Sequence, residues 1–91
     1  MPNRNIILTN RAIATAWLRE KKLVLEGKGT RDWTTEQQND IINRGKAYDE
    51  DGKAFQGHHM KSVEKYPEYQ GDSDNIQFLN KYLILIGLLL F

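Results

Sequence analysis

Apolar residues in the first third of the chain recur at helical spacing, with Ile13, Ala16, Trp17 and Val24 sharing one face. Thr9 or Asn10 can cap the start and Gly27 stands where a left-handed C-cap residue belongs, so a first helix is expected from about Arg11 to Glu26. After the Gly27-Lys28-Gly29 break, Thr34 and Gln37 have the spacing of a capping box. They predict a second helix with Ile41 and Ile42 on its apolar edge, ending near Gly45. Beyond Gly45 the period changes. Asp49-Glu50-Asp51-Gly52 is an acidic turn flanked by Ala47-Tyr48 and Lys53-Ala54-Phe55, which predicts a hairpin or sharp loop entering a strand over Gln56 to Met60. A long polar loop through Gly71-Asp72-Ser73-Asp74 leads to the alternating run Asn75-Ile76-Gln77-Phe78-Leu79, a second short strand, and then a segment that ought to be helical. The pattern predicts an α+β fold in one small domain over residues 1–91. Its parts are two helices over 11–45, strand, loop and strand over 46–81, and an apolar tail over 82–91.

Length and composition narrow the chemistry. A chain of 91 residues builds one small core, and with no cysteine it has neither disulfide staples nor a thiolate zinc site. Met1 to Asn10 holds only the apolar triplet Ile6-Ile7-Leu8, so no signal peptide is visible. The net charge of +1 hides an asymmetry, since Met1 to Arg31 carries +5 and Asp32 to Phe91 carries −4. Arg11, Arg19, Lys21 and Lys22 read as the solvated face of the first helix, or as a track for phosphates. The acidic turn lacks the alternating ligands and distal glutamate of a calcium loop.

The only histidines, His58 and His59, are adjacent and follow Gly57. No other side chain type here titrates near neutral pH without perturbation, so acid–base chemistry near pH 7 passes through this step. On a regular strand the two imidazoles face opposite ways and cannot grip one ion together, so they should have different jobs.

Thr30-Arg31-Asp32-Trp33-Thr34, Gly45, Tyr48, Gly57-His58-His59, Ser62-Val63, Tyr66-Pro67-Glu68 and Asn75-Ile76-Gln77-Phe78-Leu79 form an ordered set. Over about Ala16 to Leu79 this set closely resembles the GHH-signature toxin nucleases of the HNH/endonuclease VII superfamily. The resemblance implies a ββα-metal finger that hydrolyses phosphodiester bonds of nucleic acid, DNA favoured, with one divalent cation. It also implies the C-terminal module of a polymorphic, Rhs-type bacterial toxin, secreted within a larger carrier, acting in the target-cell cytoplasm and neutralised by a cognate immunity protein. As an orphan fragment it would be cytoplasmic. Position by position, His58 matches the metal-side residue, His59 the general base and Asn75 the second-strand Asn, a ligand or organiser. With His59 reserved as base, the donors left suit magnesium or manganese better than zinc, with Asp72 or Asp74 as outer partners or plain loop-formers.

Trp17, Trp33, Tyr66 and Phe78 are assigned to the core rather than to base stacking, with Phe78 and Trp33 packing the finger against the second helix. Lys61 and Lys65, close behind the histidines, are the candidate phosphate contacts. The superfamily also includes animal teneurin ends in which the resembling domain lacks the histidine pair, so the alternative reading is an inactive remnant or non-catalytic binding module. The intact pair here favours the enzyme.

The end of the chain departs from the resemblance. Family members usually continue into a polar helix with a further His, whereas Tyr82 to Phe91 carries neither His nor charge. It is too short to span a bilayer, which takes roughly 20 residues as a helix. If helical, it is apolar all round and requires burial by a partner. The change of composition at Tyr82 is expected to mark an out-of-frame or truncated ending, in which case a neighbouring frame of the encoding DNA specifies a His-bearing polar helix.

Overall fold

The buried face of the first helix organises the rest of the chain. The computed structural model describes the backbone of residues 4–90 and the side chains of residues 6–86. Helix α1 (Arg4–Leu25) turns Ala12, Ala16, Trp17 and Val24 inward at the predicted spacing. It begins at Arg4 rather than near Arg11. Thr9 lies inside the helix, and its hydroxyl accepts a hydrogen bond from Gln70 Nε2 at 2.6 Å. A tertiary partner, not a cap, uses that side chain.

Helix α2 (Thr35–Arg44) follows its sequence signals closely. Thr34 Oγ1 accepts from Gln37 N at 3.1 Å while Gln37 Oε1 accepts from Thr34 N at 3.0 Å, completing the capping box. Gly27 and Gly45 end the two helices in the left-handed region, at φ 76° and 86°. Ile41 is buried in the core and Ile42 packs against it. The acidic turn is closed by Asp49 Oδ1, which accepts from Asp51 N at 2.9 Å and Lys53 N at 3.0 Å, with a bridge between Tyr48 and Ala54. It delivers buried Phe55 to the start of β1 (Gln56–His59).

Strand β1 pairs antiparallel with β2 (Ile76–Leu79), in a register running from Gln56 opposite Leu79 to His59 opposite Ile76. Between them residues 60–75 contain two single 3₁₀ turns, Pro67–Tyr69 and Ser73–Asn75. Helix α3 (Lys81–Leu90) follows, its first turn capped by Asn80 Oδ1, which accepts from Leu83 N at 2.9 Å. The fold is α+β, with two N-terminal helices ahead of a strand, strand, helix finger.

An aromatic cluster fastens the finger down. Phe78 stacks on Trp17 with centroids 3.8 Å apart, and Trp33 meets Phe55 edge-on at 5.1 Å. The ring that receives Phe78 thus belongs to α1, the first helix rather than the second. Tyr66 corrects the expectation that it joins the core. It is 46% exposed on the long loop, because the space beneath the hairpin is already filled by the two tryptophans and two phenylalanines.

Exposed apolar side chains mark α3. Tyr82, Leu83, Leu85 and Ile86 face outward, and Lys81 anchors the helix by an ion pair with Asp51 of the acidic turn. That hydrogen bond and charge hold the Asp51 carboxyl below its ordinary value and lift the Lys81 ammonium above its own. The tie therefore persists across neutral pH, and is lost when acid protonates Asp51 or strong alkali deprotonates Lys81. Among the described residues no helix is long and apolar enough to cross a membrane.

Glu20 is the least expected member of the interior. It sits on the same face of α1 as Trp17 and is only 1% exposed. Its Oε2 accepts from Thr30 N at 2.8 Å and Trp33 Nε1 at 2.7 Å, and its Oε1 accepts from Thr30 Oγ1 at 2.8 Å. Three donors offset the desolvation of the carboxylate and fix the loop 29–33 against the helix. Glu20→Gln keeps the shape but sets an amide donor against these donors. It should destabilise the fold by about 1–3 kcal/mol, or roughly 4–8 °C in Tm per kcal/mol, as read by denaturant and thermal unfolding.

Candidate functional site

Gly57 sets how closely the histidine strand approaches α1. A Cβ at this position would lie 2.9 Å from Ile13 Cγ1, 3.0 Å from Ile13 Cγ2 and 3.1 Å from Ile76 Cγ2, all within side chains packed in the interior. Only glycine permits β1 to lie this near the helix. The register then places His59 beside Ile76 on the side of the buried residues, and His58 beside exposed Gln77 on the other.

The two imidazoles accordingly meet different surroundings. His59 is half-buried, and its Nε2 lies 3.1 Å from the carbonyl oxygen of Gln70 on the long loop. A carbonyl only accepts, so Nε2–H donates and the lone pair is left on Nδ1. Gln70 is itself fixed by its side-chain bond to Thr9 of α1. His58 Nε2 lies 3.3 Å from Gln56 Oε1, two positions back on its own face.

Asn75 acts across the loop. It is buried, its Oδ1 accepts from Lys61 N at 2.8 Å, and its Nδ2 donates to Lys61 O at 3.2 Å. The adjoining main chain adds Met60 N to Asn75 O at 2.7 Å. This double clamp joins the two ends of the loop. One lone pair of Oδ1 remains beyond the bond to Lys61.

Charged residues on α1 have a second task. The sequence suggests a solvated or phosphate-binding Arg19, but its guanidinium is engaged by the Ser73–Asn75 turn. It donates to Ser73 O at 2.9 Å and Ser73 Oγ at 3.3 Å and forms an ion pair with Asp74. Asp72 Oδ1 accepts from Asp74 N at 2.9 Å, the work of a loop-former. Arg31 spans the Trp33 and Phe55 rings, at 5.2 and 5.0 Å, and donates to Phe78 O at 2.6 Å on the outer edge of β2. Lys61 and Lys65 are both exposed beyond β1.

Among the described residues no three His, Cys, Asp or Glu side chains converge on one point. The donors near the hairpin are the half-buried imidazole of His58 and the remaining lone pair of the Asn75 amide oxygen. So sparse a set falls short of the four N or S ligands of a tetrahedral zinc site. Of Glu20, Arg19, Thr9 and Gln70, which hold the frame, the sequence offered Thr9 only as a cap and Arg19 only as a solvated cation or phosphate contact, and left Glu20 and Gln70 unassigned. Only Glu20 carried a signal, being a charge on the apolar face shared by Ile13, Ala16, Trp17 and Val24.

Residues 8–80 match the family described as GHH signature containing HNH/Endo VII superfamily nuclease toxin. Curated relatives include teneurin-3 of Mus musculus, 38% identical over 72 residues that make up 78% of this chain and 2% of that protein. Teneurin-m of Drosophila melanogaster is 38% identical over 69 residues, 75% of this chain and 2% of that protein. Teneurin-1 of Gallus gallus is 30% identical over 76 residues, 82% of this chain and 3% of that protein. The chain thus spans a few hundredths of the length of these relatives.

The contact at Gly57 can be tested by a double-mutant cycle. Gly57→Ala should cost about 1–3 kcal/mol by overpacking. Ile13→Ala removes both nearest carbons, so the double variant should be more stable than the sum of the single losses predicts, by about 0.5–3 kcal/mol in denaturant unfolding. Strict additivity would show that the helix does not limit this position.

Proposed function

The chain belongs to the GHH-signature nuclease toxins of the HNH/endonuclease VII superfamily, and from that membership we propose that it is a metal-dependent endonuclease hydrolysing phosphodiester bonds, DNA favoured. The observation that carries this reading is the intact Gly57-His58-His59 strand with His59 locked onto the Gln70 carbonyl. A neutral imidazole held in one tautomer is prepared to take a proton from an attacking water at Nδ1. His58 is assigned to the metal side. Asn75 is assigned chiefly as organiser of the loop, with its remaining lone pair able to join the ion. Magnesium or manganese suits these donors, and when bound supplies charge neutralisation at the phosphate and leaving oxygens. Lys61 and Lys65 are assigned to the substrate backbone.

In biological setting we read the module as the cargo of a larger Rhs-type carrier used in interbacterial competition, acting in a target-cell cytoplasm and restrained by an immunity protein. A second reading, a non-catalytic binding module, draws on the likeness to teneurins and on the lack of any histidine after His59.

Incubation of the purified chain with plasmid DNA and with RNA, in magnesium, manganese or chelator, separates the two readings. Nicking that needs the metal and falls by about 10²–10⁴-fold in His59→Ala is the expected result. Absence of cleavage under every condition, or cleavage indifferent to chelator and to His59, would establish the non-catalytic reading or an unrelated activity.

A further inference from the structure

The loop that holds His59 also presents two tyrosines and a lysine, Tyr66 and Lys61 exposed and Tyr69 half-buried. Tyr66 precedes the Pro67–Tyr69 turn and Tyr69 ends it, immediately before Gln70, whose carbonyl receives His59. Lys61 follows His59 by two residues, so their backbones lie within about 7 Å. Its main chain is clamped by Asn75, while its ammonium lies 4.9 Å from the Tyr69 ring centroid and 5.9 Å from that of Tyr66. Cation–π attraction thus holds one flexible cation at a defined place beside the histidine strand.

The rings themselves are arranged for a further partner. Their centroids are 6.0 Å apart and their planes are inclined by 58°, so Tyr69 does not cover the face of Tyr66. Tyr66 remains nearly half exposed. Alongside lies a hollow of about 270 Å³ lined by Met60, Lys61, Tyr69, Asp72, Asp74 and Asn75. Its two carboxylates have other work, Asp74 with Arg19 and Asp72 in the turn. The positive group left over is Lys61.

Resting on the nuclease reading above, we infer that Lys61, Tyr66 and Tyr69 form a nucleotide subsite next to the scissile bond, selective for a strand with an unpaired base there. Lys61 takes the phosphate and the open Tyr66 ring takes the base. Bases within a duplex are covered on both faces by their neighbours, so only an unstacked base can lie on the tyrosine. The substrate class is single-stranded nucleic acid. Stacking is indifferent to the sugar and to base identity, so the preference concerns pairing rather than sequence.

Binding in chelator, where cleavage is suppressed, tests this apart from catalysis. Labelled single-stranded DNA, single-stranded RNA and the DNA annealed to its complement are titrated with the full chain and followed by anisotropy. Single strands should bind more tightly than the duplex. Tyr66→Ala should weaken single-strand binding by about 5- to 150-fold with little change for the duplex, and Tyr66→Phe should retain the preference. Lys61→Ala should weaken all three and lower the salt dependence by about one charge. Since Tyr66 lies outside the core, unchanged near-ultraviolet circular dichroism from Trp17 and Trp33 verifies the fold of each variant. Equal affinity for strand and duplex, or equal losses for both in Tyr66→Ala, overturns the subsite while leaving the nuclease reading intact. Binding to none of the three overturns both.

Discussion

A carboxylate buried in the middle of a helix is the constraint on which the rest of this small domain depends. Glu20 cannot remain in the interior unless its oxygens are supplied with donors, and those donors come from one short loop. Thr30 and Trp33 bond to it, which brings the Trp33 indole between the helix and the finger. From there the chain of contacts is apolar, through Trp33 to Phe55 at the entry to β1 and through Trp17 to Phe78 in β2. Arg31, carried by the same loop, lies on two of these rings and satisfies a carbonyl at the edge of β2. A polar interaction thus positions an apolar core that, in 91 residues, has few side chains to spare.

The candidate site inherits this dependence on α1. Besides the stack of Phe78 on Trp17, the finger and its loop are held to the helix by Gly57 against Ile13, Gln70 bonded to Thr9, and Arg19 bonded to the Ser73–Asn75 turn. Asn75 then joins the loop's ends to each other through the Lys61 backbone. Each contact has a partner far away in sequence, so the loop is rigid at its ends though it contains little regular structure. His59 benefits most. Its orientation is fixed by a carbonyl that α1 holds in place, and a fixed tautomer is what proton transfer requires.

What the sequence made legible was local. The Thr34–Gln37 capping box, the Asp49–Gly52 turn and the alternation that separates His58 from His59 each depend on neighbours within a few residues, and each is present. The histidine roles came from the ordered motifs of a family, not from spacing. What escaped notice was non-local. Thr9 looked like a cap because nothing nearby showed that Gln70 would claim its hydroxyl, and α1 therefore extends back to Arg4. Arg19 looked like a solvated cation because Ser73 and Asp74 lie more than fifty residues on. Tyr66 looked like core because large aromatics usually are in a small domain, but a core already containing two tryptophans and two phenylalanines had no place for it.

This arrangement bears on how an apolar α3 and the candidate site can coexist. Had the closing helix been the support for the histidine strand, a change in its polarity would have disturbed the base as well as the metal. Here β1, the loop and Asn75 are fastened to α1 and to one another, while α3 is tied at its start by Asn80 and by the Lys81–Asp51 pair and leaves Tyr82, Leu83, Leu85 and Ile86 exposed. A closing helix without histidine therefore leaves the groups that orient His59 in place. A weakened enzyme and a binding module would then differ in metal occupancy rather than in the polar contacts around the histidines, which run to α1.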